Sequence, residues 1–171
     1  MQYSMFKKAI KEAEEVAAST PDESIGLDEA LEQAFCDTFV TYFKAHSAHW
    51  NVVGDDFAAF HEFFSDLYEE IYSGIDIIAE QLRQVNAQAP YDLDAVIAMS
   101  NVSNWSEETD PRELSRQLYA ANASTLASLE QACKIAHDTG NTGVENVLQD
   151  RISAHRKHAW MLKSTVMGPE T

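Results

Sequence analysis

The chain is poor in the residues that interrupt regular structure. Six glycines and four prolines occur in 171 residues, and most sit at evident breaks. Collagen-like, low-complexity and turn-rich all-β sequences are therefore excluded. Cysteine is scarce too: Cys36 and Cys133 lie far apart without metal-motif spacing, each among apolar neighbours in a predicted helix. Both are expected to be reduced thiols packed in the core of a cytoplasmic protein. No run of about 18 apolar residues is present, so no membrane span is expected. Met1 to Lys11 carries no apolar stretch suited to a signal peptide. Positive charge is also lacking. Twelve Lys and Arg face 28 Asp and Glu, for a formal charge of −16. That balance repels phosphate backbones and favours cations as ligands.

The 45% of residues that are hydrophobic fall at three- and four-residue steps, the signature of amphipathic helices. A short helix is predicted from about Tyr3 to Ala18, ending at Ser19, Thr20 and Pro21. A long helix follows from Leu27 to about Val53, with Leu31, Phe35, Thr38, Phe39, Tyr42 and Phe43 recurring. Gly54, Asp55 and Asp56 break it, and either Asp can cap the next helix. That helix runs from Phe57 to about Gln88 on a stripe of Phe57, Phe60, Phe64, Leu67, Ile71, Ile75, Ile78, Leu82 and Val85. A connection of about 20 residues, in which Leu93 to Met99 forms a short helix, points to a crossover between parallel neighbours. Asp110-Pro111 opens a third long helix to about Asp138, and a fourth covers about Val144 to Val166, with Trp160 and Leu162 on its apolar side. The expected fold is all-α: a four-helix bundle with a short helix in the central crossover and an extra short N-terminal helix. Residues 1–22 form the extension and 23–171 the bundle.

The histidines carry the chemical signal. His49 lies near the end of the first long helix and His61 near the start of the second, equidistant from residue 55 at the turn. In an antiparallel hairpin they stand at one height and can converge, and imidazole suits iron, zinc and copper. The pair alone also fits a packing or surface role. Asp76 and Glu80 share a face four residues apart, in an otherwise apolar stretch where unpaired carboxylates at an interface are costly. A solvated face is the plain alternative. His61 and Asp76 are 15 residues apart, about 22 Å along a helix rising about 1.5 Å per residue. One ion cannot touch both within one chain. A second copy, packed antiparallel across a two-fold axis, brings His61 beside the other copy's Asp76 and Glu80.

The string His49-Trp50-Asn51-Val52, with Gly54, Phe57, His61-Glu62-Phe63, Tyr68, Asp76 and Ala79-Glu80, resembles the signature of the Dps family, the miniferritins of the ferritin-like superfamily. Lys157-His158-Ala159-Trp160-Met161-Leu162 resembles that family's last helix. The resemblance implies a ferritin-like four-helix bundle assembled as a hollow dodecamer. It also implies oxidation of ferrous iron, with hydrogen peroxide or dioxygen, and storage of the ferric product inside. The implied ferroxidase site takes His49 and His61 from one chain and Asp76 and Glu80 from its neighbour. Trp50 either intercepts radicals, as in relatives, or simply packs.

One position departs from the family pattern. The family usually has an Asp four residues after the second histidine, and here it is Ser65. Asp66 is next, but one residue turns a helical side chain by about 100°. A two-iron site is thereby in question, with water, His46 or another acid as substitutes. The alternative reading is a Dps-like shell or metal-binding protein with weak or no ferroxidase activity. Glu145 and Asp150 are candidate pore residues, although Asn146 stands where relatives often carry an acid. Lys7, Lys8 and Lys11 are interleaved with Glu12, Glu14 and Glu15. Twelve copies carry roughly −190 charges, which argues against unassisted DNA binding. His137, His155 and His158 read as surface or interface residues, the last two sharing a face able to bind metal adventitiously. A ferritin-type site inside the bundle needs Glu-x-x-His pairs on two helices, and the sequence has none.

Overall fold

The computed structural model describes residues 25–103 and 105–166. The expected N-terminal helix and extension lie outside them. Five helices follow in order: α1 (Leu27–Asn51), α2 (Phe57–Gln84), α3 (Leu93–Met99), α4 (Pro111–Asp138) and α5 (Thr142–Val166). The described residues contain no strand.

Residue pairings fix the topology. Reciprocal bonds between His49 and His61 set α1 against α2, and Asn122 with His155 sets α4 against α5. Asp37 meets Ser128, and Thr41 meets Thr125 and Ala121, so α1 and α4 run antiparallel. It follows that α2 and α4 are parallel and that the connection carrying α3 crosses over between them, as expected. Two apolar clusters fill the bundle: one around Leu31, Ile78, Leu129 and Leu148, the other around Phe64, Ile71, Leu118 and Leu162.

Helix ends follow local chemistry. Asn86 has φ 66° beyond α2, and Ala87 N–H donates to the Leu82 carbonyl at 3.0 Å. This Schellman closure stops the helix at Gln84 instead of near Gln88. Gly140 (φ 73°) closes α4 in the same manner, with Asn141 N–H on the Ala136 carbonyl. Asp110 caps α4 by accepting from Arg112 and Glu113 N–H, with Pro111 opening the helix. Asp56 does occupy the N-cap of α2, but in the left-handed region and without a side-chain capping bond. The Gly54 conformation, φ 113°, strongly favours glycine.

Several expected core residues lie outside the core. Phe43, Phe57 and Trp160 are exposed: Phe43 and Trp160 fall on the side of their helices away from the buried stripe, and Phe57 lies at the edge of the stripe in the first turn of α2. Cys36 is buried and Cys133 half-buried; both are free thiols. Two buried charges pin the crossover instead. Asp37 accepts from Ser100 Oγ, Ser128 Oγ, Asn101 N–H and Gln33 Nε2. Lys44 donates to the Ser103 carbonyl and lies over the Trp105 ring. Burial raises the Asp37 carboxyl above its ordinary value against the pull of those four bonds, and lowers Lys44.

Candidate functional site: a paired-histidine centre

The turn between α1 and α2 brings His49 and His61 ring to ring, centroids 3.8 Å apart and stacked. His49 Nδ1 donates to the His61 carbonyl at 2.8 Å, and His61 Nδ1 donates to the His49 carbonyl at 2.9 Å. A carbonyl only accepts, so in each neutral ring Nδ1 carries the proton and Nε2 keeps its lone pair. This is the outer-sphere bond that orients a metal-binding imidazole, made twice and reciprocally. Both side chains are half-buried.

Aromatic rings wall the pair. Phe57 stacks on His61 at 5.0 Å, and Tyr68 lies edge-on to His49 at 5.3 Å. His46 is sandwiched between Tyr68 (3.9 Å) and Trp50 (4.0 Å), with its Nδ1 3.2 Å from the Tyr42 hydroxyl. Partial burial, and secondly the neighbouring His49, hold His46 below its ordinary pKa. The wall thus contains the oxidisable side chains Trp50, Tyr68 and Tyr42.

Asp76 and Glu80 are exposed on the outward face of α2. No three His, Cys, Asp or Glu side chains converge on a metal-sized point among the described residues of one chain. The chain presents two imidazoles at one end of α2 and two carboxylates toward the other. Tyr72 and Ile77 are exposed apolar side chains on the same helix, and Leu93 and Ile97 are exposed on α3; exposed apolar side chains of this kind suit a surface that another protein covers. Ser65 donates to Glu69. Asp66 lines the groove between α2 and α5, with Glu70 and His158. Glu145, beside the α4–α5 turn, pairs with His137 and accepts from Gln149, whereas Asp150 and Asn146 are exposed.

His155 and His158 require correction: they are buried, not on the surface. His155 Nδ1 donates to Asn122 Oδ1 at 2.8 Å, and His158 Nε2 donates to Glu70 Oε2 at 3.1 Å. Arg151 Nη2 bonds both Glu70 oxygens at 2.8 and 2.9 Å. Burial above all, then the charges of His158 and Arg151, depress His155 to about 3. Burial works to raise Glu70, yet the His158 bond and the Arg151 charge hold it at about 2. The pattern that reveals these residues is periodicity: 144, 148, 151, 155, 158 and 162 keep one face of α5, and polar residues occupy its middle. Glu69 is also recognisable only in three dimensions.

The chain is similar to known ferritin-like proteins. The family model described as a ferritin-like domain matches residues 28–167. Antigen TpF1 of Treponema pallidum is 30% identical over 145 residues, covering 81% of this chain and 78% of that protein. Its crystal structure superposes with a TM-score of 0.80 at 25% identity, covering 88% and 98% of the two chains. The DNA protection during starvation protein of Brevibacillus brevis is 26% identical over 138 residues, covering 78% and 90%. The fold also matches a Dps protein from Vibrio cholerae O1, described as one of the ferritin-like diiron-carboxylate proteins, with a TM-score of 0.79 at 23% identity over 82% and 89%.

Proposed function

The chain belongs to the ferritin-like family, on its Dps branch, and from that premise we propose that it oxidises ferrous iron between paired subunits and stores the ferric product in a hollow dodecamer. The observation that carries this reading is the reciprocal histidine pair, whose two Nε2 lone pairs are oriented and uncommitted. Imidazole is a good ligand for ferrous iron and carboxylate for ferric iron, so a mixed set holds the ion through the change of charge. His49 and His61 supply the nitrogens; Asp76 and Glu80 of a second copy supply the charge.

Two ferrous ions each give one electron to one hydrogen peroxide, which takes up two protons and leaves as two waters. The chain's own residues position the ions and screen the centre from bulk water with Phe57, Tyr68 and Trp50. Its acidity draws cations toward the shell, and Glu145 and Asp150 are the proposed pore residues. No described helix is long and apolar enough to cross a membrane; a cytoplasmic site of action, without unassisted DNA binding, completes the proposal.

The test is anaerobic ferrous oxidation on addition of peroxide, followed by absorbance, for wild type and for His61→Ala with Asp76→Ala. Fast oxidation lost in the variant, with assembly intact on a sizing column, supports the reading. A wild type no faster than the protein-free control ends the enzyme claim and leaves a shell.

A further inference from the structure

Two neutral imidazoles bring no charge to a divalent ion, and the residue one turn beyond His61 is Ser65, a hydroxyl. The next turn carries Glu69 on the same outward face. Its Oε1 faces the Ser65 hydroxyl at 3.5 Å and the Tyr68 hydroxyl at 3.4 Å. Both donors draw the carboxylate back toward the start of α2, the direction in which long helical side chains lean. Tyr68 is itself part of the wall of the histidine pair, against His46 and His49. The neighbouring acids are placed otherwise: Glu70 is committed to Arg151 and His158, and Asp66 lines the α2–α5 groove.

Symmetry gives that lean a meaning. An antiparallel pairing that sets residue 61 against residues 76 to 80 of a second copy sets residue 65 against 72 to 76. It places the two-fold axis between residues 68 and 71. A Glu69 carboxylate pointing straight out would meet its own symmetry mate. Drawn back to Ser65, it comes to the level of the second copy's Asp76, and two carboxylates at that level attract a cation between them.

We propose that Glu69 is a ligand for a second divalent ion at the paired-histidine centre, with the Ser65 and Tyr68 hydroxyls as its positioning groups. The proposal rests on the inter-subunit reading above, and the experiment separates the two. The probe is Co2+, which binds without being oxidised by the protein. The assembled protein is titrated anaerobically with Co2+ and followed by its d–d absorption and by calorimetry.

Wild type is expected to show two classes of Co2+ per histidine pair. Glu69→Gln is expected to weaken the second class by at least about tenfold, the scale of losing a metal-site partner, with the first class unchanged. Ser65→Asp added to Glu69→Gln is expected to restore the second class, which a merely structural role for Glu69 does not predict. A single class in wild type, or two undisturbed classes in Glu69→Gln, overturns the proposal. Survival of both classes in His61→Ala instead overturns the inter-subunit reading beneath it.

Discussion

Gly74 is the position where an ordinarily stabilising change should do harm. It is buried in the middle of α2, where replacing glycine by alanine normally gains about 1 kcal/mol of helix propensity. Here a Cβ would stand 2.7 Å from Arg151 Nε, 2.8 Å from Cζ and 3.0 Å from Nη2. Relief to van der Waals distance requires the guanidinium to move by roughly half an ångström or more. The end of an arginine is usually free to move, but this one is 7% exposed and fixed by two bonds to Glu70. Weakening charge-assisted bonds of about 1.5–3 kcal/mol outweighs the propensity gain. Gly74→Ala should therefore destabilise the fold by about 1–2 kcal/mol. The assay is chemical unfolding followed by circular dichroism, at one protomer concentration because assembly contributes to apparent stability. In a double-mutant cycle, Arg151→Leu should abolish the penalty, giving a coupling of about 1 kcal/mol or more. A Gly74→Ala protein as stable as wild type, or more so, refutes the reasoning.

Acid should weaken the same network in one direction. His155 is lowered to about 3 from an ordinary 6.5, so the unfolded chain binds more protons between those values, and stability falls as pH drops through that window. Glu70, lowered to about 2 from 4.5, adds a loss below 4.5. An unfolding midpoint that stays flat from pH 7 to pH 4 would contradict this, and His155→Gln should shallow the upper part of the slope. Asp37→Ala strands the four donors that hold the crossover and should cost about 2 kcal/mol or more, while opening residues 90–110 to limited proteolysis. Asp110→Ala removes the cap of α4 and should cost about 1 kcal/mol, read as a shifted unfolding midpoint with unchanged helicity.

The periodic apolar pattern was enough for the four long helices, and the long connection for their parallel crossover, because both depend on spacing that the chain displays directly. Helix ends were less legible: the Asn86 closure of α2 depends on a left-handed residue that no hydrophobic pattern announces. The candidate residues were visible as types and spacings, but their commitments were not. His155 and His158 look like polar surface residues until Asn122, 33 positions from His155, and Glu70, 88 positions from His158, meet them. Asp37 and Lys44 are buried charges inside a helix, and only the returning crossover, which bonds both, explains them. Phe57 shows the opposite error, an aromatic that reads as core and instead stacks on an imidazole.

Neighbouring carboxylates on α2 favour the proposed ion chemistry outside the bundle over any within it. Glu69 and Glu70 diverge by about 100° around the helix axis. Glu70 turns inward and already holds a permanent cation, Arg151, with two buried histidines beside it. A divalent ion in that interior would face the guanidinium at close range in a low dielectric, an unfavourable pairing. Its most acidic side chain, moreover, is already neutralised. On the outward face the same helix offers Glu69, Asp76 and Glu80 with no such commitment, and the histidine pair stands at its beginning. The inward half of α2 therefore spends its charge on holding α5, through Arg151 beside Gly74, while on the proposed reading the outward half is left to meet a cation. A variant that frees Glu70, such as Arg151→Leu, should consequently lose stability without gaining a functional iron centre inside the subunit, since no second helix supplies the matching carboxylate and histidine.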